Sequence, residues 1–200
     1  QALPAIQRAP RHLFDEKKSG ATLAWRFFHP GKSIPRMLAH IEDIDIWRLS
    51  IPKTREIMAA LDAEPMDFAA WNRFMKRLEV RASAKKIIDV GSRLFAYQTM
   101  LARDLAAKAA EARFEGHRAG VVNSPILNTE IGYELYHTFK FPIGIIWSRK
   151  KDHYAISFRS KKVDVARLVK RFGGGGHPGA AGIKLRLNAR LPWTYLKGIT

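Results

Sequence analysis

Apolar residues recur at three- and four-residue spacing through the first half of the chain and gather into short β-prone runs in the second. The spacing predicts a helix through Ala21 to Trp25, with Ser19 able to cap it and His29-Pro30-Gly31 to end it. A second helix is predicted from about Pro35 to Trp47, Pro35 suiting a first turn and Met37, Leu38, Ile41, Ile44 and Ile46 supplying apolar faces. Two more fall at about 52–62 and 66–77. From Ala82 to Phe114 the series Ile87, Ile88, Leu94, Phe95, Leu101, Leu105 keeps helical spacing without a proline, and Ala106 to Ala110 are good helix formers. One long connecting helix is expected there. Beyond His117, β-prone runs at Ala119 to Val122, Gly144 to Trp147 and Ala155 to Phe158 flank a helical segment near Thr129 to Thr138. Tyr154 and Ile156 alternate with Ala155 and Ser157 as in a strand. A helix through Val163 to Phe172 and a last strand at Ile183 to Leu187 complete the reading. The fold class is therefore α/β, in three parts: a mainly helical 1–81 that opens on a polar arm over 1–18, a connecting helix over 82–116, and a mixed α/β domain over 117–200.

Composition narrows the partners. The chain has 200 residues, enough for one ordinary domain or two small ones, and 46% of them are hydrophobic. Thirty-five Lys and Arg against eighteen Asp and Glu leave a formal charge of +17, which favours polyanions through counterion release. RNA is the leading partner, and other chains of a ribonucleoprotein are a natural second. A solvated basic surface with no dedicated partner is the plainer alternative. Cysteine is absent, so neither disulfides nor thiolate metal sites are available. No apolar run approaches the roughly 20 residues needed to span a bilayer, and no signal-peptide pattern opens the chain. A soluble, intracellular protein without a membrane partner is expected, with the mitochondrial matrix or the cytoplasm as its compartment. The chain opens on Gln1 and not on Met, so an N-terminal piece is expected to be missing.

The most informative stretch is Gly173-Gly174-Gly175-Gly176-His177-Pro178-Gly179-Ala180-Ala181-Gly182. Four glycines after a helix leave the backbone free to take positive φ and to aim several N–H groups at an anion. His177 adds a side-chain donor, and the small residues after it allow close approach. Phe158-Arg159-Ser160 is the natural companion, since a guanidinium at a strand end can hold two phosphate oxygens and Ser160 can donate a further bond. A run of glycines by itself is equally a linker, and a lone His is more often structural.

The order strand, Phe-Arg-Ser, helix, glycine-histidine loop, strand resembles the domain associated with the catalytic domain of DHH-superfamily phosphoesterases. Val122-Asn123-Ser124-Pro125 with Glu130-Ile131-Gly132 resembles the start of the same domain. Ser19-Gly20-Ala21-Thr22-Leu23-Ala24-Trp25 and Ile41-Glu42-Asp43-Ile44-Asp45-Ile46-Trp47-Arg48 resemble the later half of the catalytic domain in the oligoribonuclease-like and cyclic-nucleotide phosphodiesterase-like branch. The resemblance implies a partial, mainly helical remnant of a DHH catalytic domain followed by a DHH-associated domain. It implies phosphate or substrate binding by Arg159, Ser160, Gly173 to Gly176, His177, Ala180, Ala181 and Gly182. Active members cleave phosphodiester or phosphoanhydride bonds with two divalent metals, commonly manganese.

The Asp-His-His signature of that metal site is absent, as are the strands that precede it. Asp43 is the one residual metal candidate, with Asp45 the less favoured registry and Glu42 its neighbour. One carboxylate cannot hold two dications. The cluster can equally pair with Arg36 or Arg48, and His12, His29, His40, His117, His137 and His153 show no ligand spacing. No cofactor is expected for this chain alone; Mn2+ or Mg2+ would enter if the missing motifs were supplied.

Three functions remain in view. The first is a phosphoesterase-derived protein, a pseudoenzyme, that binds RNA as a ribonucleoprotein component, the mitochondrial ribosome among the candidates. Its basic residues lie in two stretches, Arg73, Lys76, Arg77, Arg81, Lys85 and Lys86 in one, and Lys150, Lys151, Arg159, Lys161, Lys162, Arg167, Lys170, Arg171, Lys184 and Arg186 in the other; either is equally a solvated face. The second is the substrate-binding portion of an active metal-dependent oligonucleotide or cyclic-nucleotide phosphodiesterase whose N-terminal half is missing or supplied by another chain. The third is a protein-binding adaptor using Trp25, Trp47, Trp71, Trp147 and Trp193, although their spread through the chain favours separate core roles.

Overall fold

The computed structural model describes residues 13–15, 17–46 and 48–196. Most of the expected N-terminal arm, together with His12 and Trp47, lies outside them. The chain divides into two compact units, 1–96 and 97–200.

The first unit is helical. Helix α1 (Gly20–Phe28) starts where Ser19 Oγ accepts the Thr22 amide at 3.2 Å, the cap expected from the sequence. Helix α2 (Arg36–Asp45) has Pro35 at its N-cap, and α3 (Thr54–Asp62) follows a left-handed Lys53 with φ 69°. Helix α4 (Phe68–Glu79) is capped by the Asp67 carboxylate on Ala70 N, and α5 (Arg81–Ala107) begins two residues after it ends. Met37, Ile57, Leu61, Phe74, Leu78 and Ile87 form the apolar centre, one or two from each of the packed helices. Gly91 explains why a long helix carries a glycine. A Cβ there would lie 1.9 Å from the Glu56 carbonyl oxygen, so α3 and α5 approach at a distance only hydrogen tolerates.

The connecting helix is shorter than its periodicity predicts. It stops at Ala107, and Ala110–Phe114 is strand β1, paired antiparallel with β2 (His117–Asn123) across the positive-φ turn Glu115-Gly116. Ala112 and Phe114 are buried while Glu111 and Arg113 face out, a period of two that helix propensity in the alanine run does not reveal.

The second unit is a seven-stranded sheet of order β5-β6-β4-β3-β2-β1-β7. Strands β3 (Ile143–Arg149), β4 (His153–Arg159), β5 (Gly175–His177), β6 (Ala180–Arg186) and β7 (Thr194–Tyr195) complete it. Strands β2 and β3 are parallel and are joined by α6 (Asn128–His137); the other pairs are antiparallel. One face packs Ile145, Ile156, Phe158 and Ile183 against Val165 and Val169 of the short helix α7 (Val165–Val169), which tightens to a 3-10 turn at Lys170–Phe172. The opposite face packs Val122 and Ile146 against Ile131 and Leu135 of α6. The predicted strands and helices beyond His117 each overlap one of these elements, with ends that differ by up to three residues. No helix among the described residues is long and apolar enough to cross a membrane.

Candidate functional site

Successive side chains of a strand point to opposite faces, and residues directly opposed across a pair share one. Phe158 and Ala181 belong to the α7 face, so Arg159 and Ala180 point to the other. Register then aligns Gly144, Arg159, Ala180 and His177 in one row across β3, β4, β6 and β5. The next row is Ile146, Ser157, Gly182 and Gly175. Arg159 and His177 thus stand on the same face with only Ala180 between them, about 10 Å apart at the Cα atoms for two strand spacings. Ser157, Gly182 and Gly175 form a floor with almost no side-chain bulk beside them.

Arg159 is held in place from α6. A Cβ on Gly132 would lie 2.4 Å from Arg159 Cγ, so the glycine makes room for the arginine stem. The guanidinium donates to the Phe158 carbonyl at 3.0 Å and to Thr129 Oγ1 at 3.3 Å. Burial lowers its pKa, against the fields of Glu130 and Tyr136, yet an arginine remains charged under such a shift. Two of its five N–H donors are occupied in this way. His177 is exposed on the edge strand. Neither Gly132 nor Thr129 stands out as a site residue in the sequence, because their role depends on α6 crossing β4.

The glycine run departs from the expected open anion cradle. Gly173, at φ 74°, ends the helical segment, and Gly175–His177 pairs with Ala180–Gly182 as a ribbon. Gly174 is small because a Cβ would meet Ile183 Cγ2 at 2.3 Å, and Gly176, at φ 147°, because one would meet the Ala180 carbonyl oxygen at 2.4 Å. Much of the glycine requirement is thus close packing of β5 on β6, while the outer edge of β5 keeps alternate main-chain donors directed away from its partner. The turn is fixed at Pro178, whose carbonyl accepts Val165 N, and at Gly179, whose carbonyl accepts Ser160 N.

Ser160 also departs from expectation. It is buried, its hydroxyl donates to the Pro142 carbonyl at 2.7 Å, and its oxygen accepts Val163 N and Lys162 N. Its single proton is committed to shaping the turn after β4. Ala181 points into the apolar core on the far face. Lys161 and Lys162 are exposed in the turn after β4. Lys170 and Arg171 follow α7, on the opposite side of the sheet from Arg159, and Arg171 pairs with Glu115 at 2.7 Å. In the first unit Lys76, Arg77, Arg81, Lys85 and Lys86 are all exposed around the α4–α5 junction, Arg77 lying 3.6 Å from Glu64.

Asp43 is fully buried. Oδ1 accepts Ser50 N at 2.8 Å and Ser50 Oγ at 3.0 Å, while Oδ2 accepts Ile51 N at 3.1 Å and Thr54 Oγ1 at 2.7 Å. Burial by itself would raise its pKa, and these bonds outweigh burial and lower it. Of the ion pairs expected for the acidic cluster, the one with Arg48 falls to Glu42, while Asp43 takes hydroxyl and main-chain donors. Glu42 instead takes Arg48 and Lys18, accepts Ser19 N at the start of α1, and is brought to a pKa of about 2 against the opposing effect of burial, with Thr22 the strongest of its hydrogen-bonding partners. His40 is buried with Nδ1 2.9 Å from Thr54 Oγ1. No group of three or more His, Cys, Asp or Glu that could hold a metal occurs among the described residues. The donor set present does not fit the two-metal centre of the phosphoesterases.

The fold and this face define an α/β unit that carries an arginine and a histidine on one side of its sheet. Residues 122–192 match the DHHA1 domain family. An uncharacterized protein of Acanthamoeba polyphaga mimivirus is 29% identical over 180 residues, covering 86% of this chain and 42% of its own length. The chain therefore spans less than half of that relative. Among solved structures it is similar to the pGpG-specific phosphodiesterase PggH from Vibrio cholerae, at 12% identity and a TM-score of 0.46 over 84% of this chain and 68% of the other. It is also similar to RecJ in complex with Mg2+ from Thermus thermophilus, at 16% identity and a TM-score of 0.45 over 70% of this chain and 23% of that one.

Proposed function

We propose that the DHHA1 unit binds RNA through its sugar-phosphate chain on the open sheet face, with Arg159 and His177 as the phosphate contacts, and that this chain does not hydrolyse RNA by itself. The observation that carries the reading is the shared row of Arg159, Ala180 and His177 above a floor of Ser157, Gly182 and Gly175. The formal charge of +17 supports a polyanionic partner and suits a fixed component of a ribonucleoprotein, including an organellar ribosome. The engagement of both Asp43 oxygens by loop donors supports retention of the fold without the metal chemistry.

The test is fluorescence anisotropy of the full chain with a labelled uridylate dinucleotide. Hydrogen bonds to a charged group contribute about 1.5–3 kcal/mol, so Arg159→Ala weakens binding by about 10- to 150-fold. Arg159→Lys keeps the charge but loses the fork and falls between. Equal affinity of parent and Arg159→Ala refutes the assignment. A second reading rests on the DHHA1 match and on the greater length of the mimivirus relative. In it the same face serves an active phosphodiesterase whose metal ligands come from elsewhere. Manganese-dependent cleavage of short RNA by the chain together with an added partner, abolished by Arg159→Ala, would establish it.

A further inference from the structure

Beyond Arg159 and His177 the open face does not end. Its third row pairs Ala155 with Lys184, and its fourth pairs His153 with Arg186. Tyr154 and Leu185, the alternate residues, pack against the apolar cluster of the α7 face, so Lys184, Arg186 and His153 share the face of Arg159. Strand β5 covers the edge of β6 only as far as Gly182. From Ile183 to Arg186 that edge has no paired strand, and Lys184 and Arg186 are exposed along it. A shallow, open depression lies at this end, lined by Asp152, His153, Lys184, Leu185, Arg186, Leu187 and Asn188. Neither the Lys184 ammonium nor the Arg186 guanidinium lies within hydrogen-bond or ion-pair distance of a partner among the described residues, while the hydrogen bond from His153 lowers the Asp152 pKa and the Lys184 charge helps to lower it further. His153 Nδ1 lies 2.8 Å from Asp152 Oδ1, which orients the ring.

We infer that Lys184 and Arg186 form a second phosphate subsite, and that the face takes a single-stranded RNA segment running along β4 and β6 between the two ends. The inference rests on the proposed RNA-binding role of Arg159 and His177. Six residues of strand separate the Arg159–Ala180 row from the His153–Arg186 row, about 20 Å. Phosphates of one stacked strand advance about 3.4 Å each, so the two ends match phosphates about six steps apart, and a hexamer reaches both when its strand is stretched to about 5 Å per step. A dinucleotide is too short to reach both. Between the ends Ser157, Ala155 and Gly182 offer no base-reading side chains beyond one hydroxyl, so binding follows the backbone and tolerates any base order.

The test compares the full chain with the double variant Lys184→Gln/Arg186→Gln in anisotropy titrations of a uridylate dinucleotide and hexamer. Both positions are exposed, and far-UV circular dichroism checks that the fold is intact. The parent binds the hexamer about tenfold or more tighter than the dinucleotide. The double variant loses that gain, leaves dinucleotide binding unchanged, and reduces the salt slope for the hexamer by about 1.4, or 0.7 for each lost phosphate contact on a single strand. A parent without length dependence, or a double variant that binds the hexamer as the parent does, overturns the second subsite. In either case a dinucleotide still sensitive to Arg159→Ala leaves the first subsite standing. Insensitivity of both oligonucleotides to Arg159→Ala removes the first reading and this one with it. Displacement of the hexamer by oligoglutamate of equal charge at equal concentration overturns the assignment to RNA and marks a site for acidic peptides.

Discussion

Replacing Asp43 by Asn separates a structural carboxylate from a metal ligand. The side chain is fully buried and accepts four hydrogen bonds, from Ser50 N, Ser50 Oγ, Ile51 N and Thr54 Oγ1. Asn has one acceptor oxygen, so its amide must face one pair of donors. Placed at Oδ2 it costs least, because Thr54 Oγ1 already contacts the Ile51 carbonyl at 3.0 Å and His40 Nδ1 at 2.9 Å and can turn to them. Ile51 N–H is then left without an acceptor, at about 1–3 kcal/mol, and the bonds that survive lose their charge assistance. A loss of about 3 kcal/mol follows, and a unit of this size loses about 4–8 °C per kcal/mol. Calorimetry of the full chain should show the helical unit melting roughly 10–25 °C lower in Asp43→Asn, in EDTA as well as in manganese. The pH dependence has a fixed sign. A depressed carboxyl pKa stabilises the fold above its ordinary value, and that stability is lost as pH falls through the depressed value, so the variant is flatter in that acid range. An Asp43→Asn protein as stable as the parent in EDTA, beside a parent that manganese stabilises, would refute the structural role.

Glu42, lowered from 4.5 to about 2, contributes stability that is complete above pH 4.5 and lost as pH falls toward 2. Acid titration monitored by circular dichroism should therefore be shallower for Glu42→Gln across that window, by on the order of 3 kcal/mol at most. Gly91→Ala gains about 1 kcal/mol of helix propensity but drives a Cβ to 1.9 Å from a carbonyl oxygen. Overpacking costs about 1–3 kcal/mol, so urea denaturation should show net destabilisation, and a more stable variant would disprove the close contact of α3 with α5. Gly132→Ala drives a Cβ to 2.4 Å from Arg159 Cγ and 2.7 Å from Arg159 Cβ, the root of a side chain fixed to β4. Overpacking should cost about 1–3 kcal/mol in urea denaturation, while dinucleotide affinity of the folded protein falls about tenfold; unchanged affinity would show that Gly132 does not position the arginine.

Local order determines what was legible in the chain alone. Among the described residues the sequence located the four shorter helices of the first unit within a few residues, Ser19 marked the start of α1, and the glycine-histidine motif with Phe158-Arg159 identified the DHH-associated domain. These features depend on neighbours close in sequence. What the tertiary structure decided depends on partners distant in sequence. Ala110–Phe114 became a strand because β2 and β7 offered edges to pair with, against the helix propensity of the alanines before it. Ser160 was turned inward by the Pro142 carbonyl. The glycines became a ribbon on β6 because Ile183 and the Ala180 carbonyl leave no room for a Cβ. Strand register placed Arg159, His177, Lys184 and Arg186 on one face, since side-chain direction has a period of two and a slip of one residue would reverse it, while the packing of α7 carried Lys170 and Arg171 to the other.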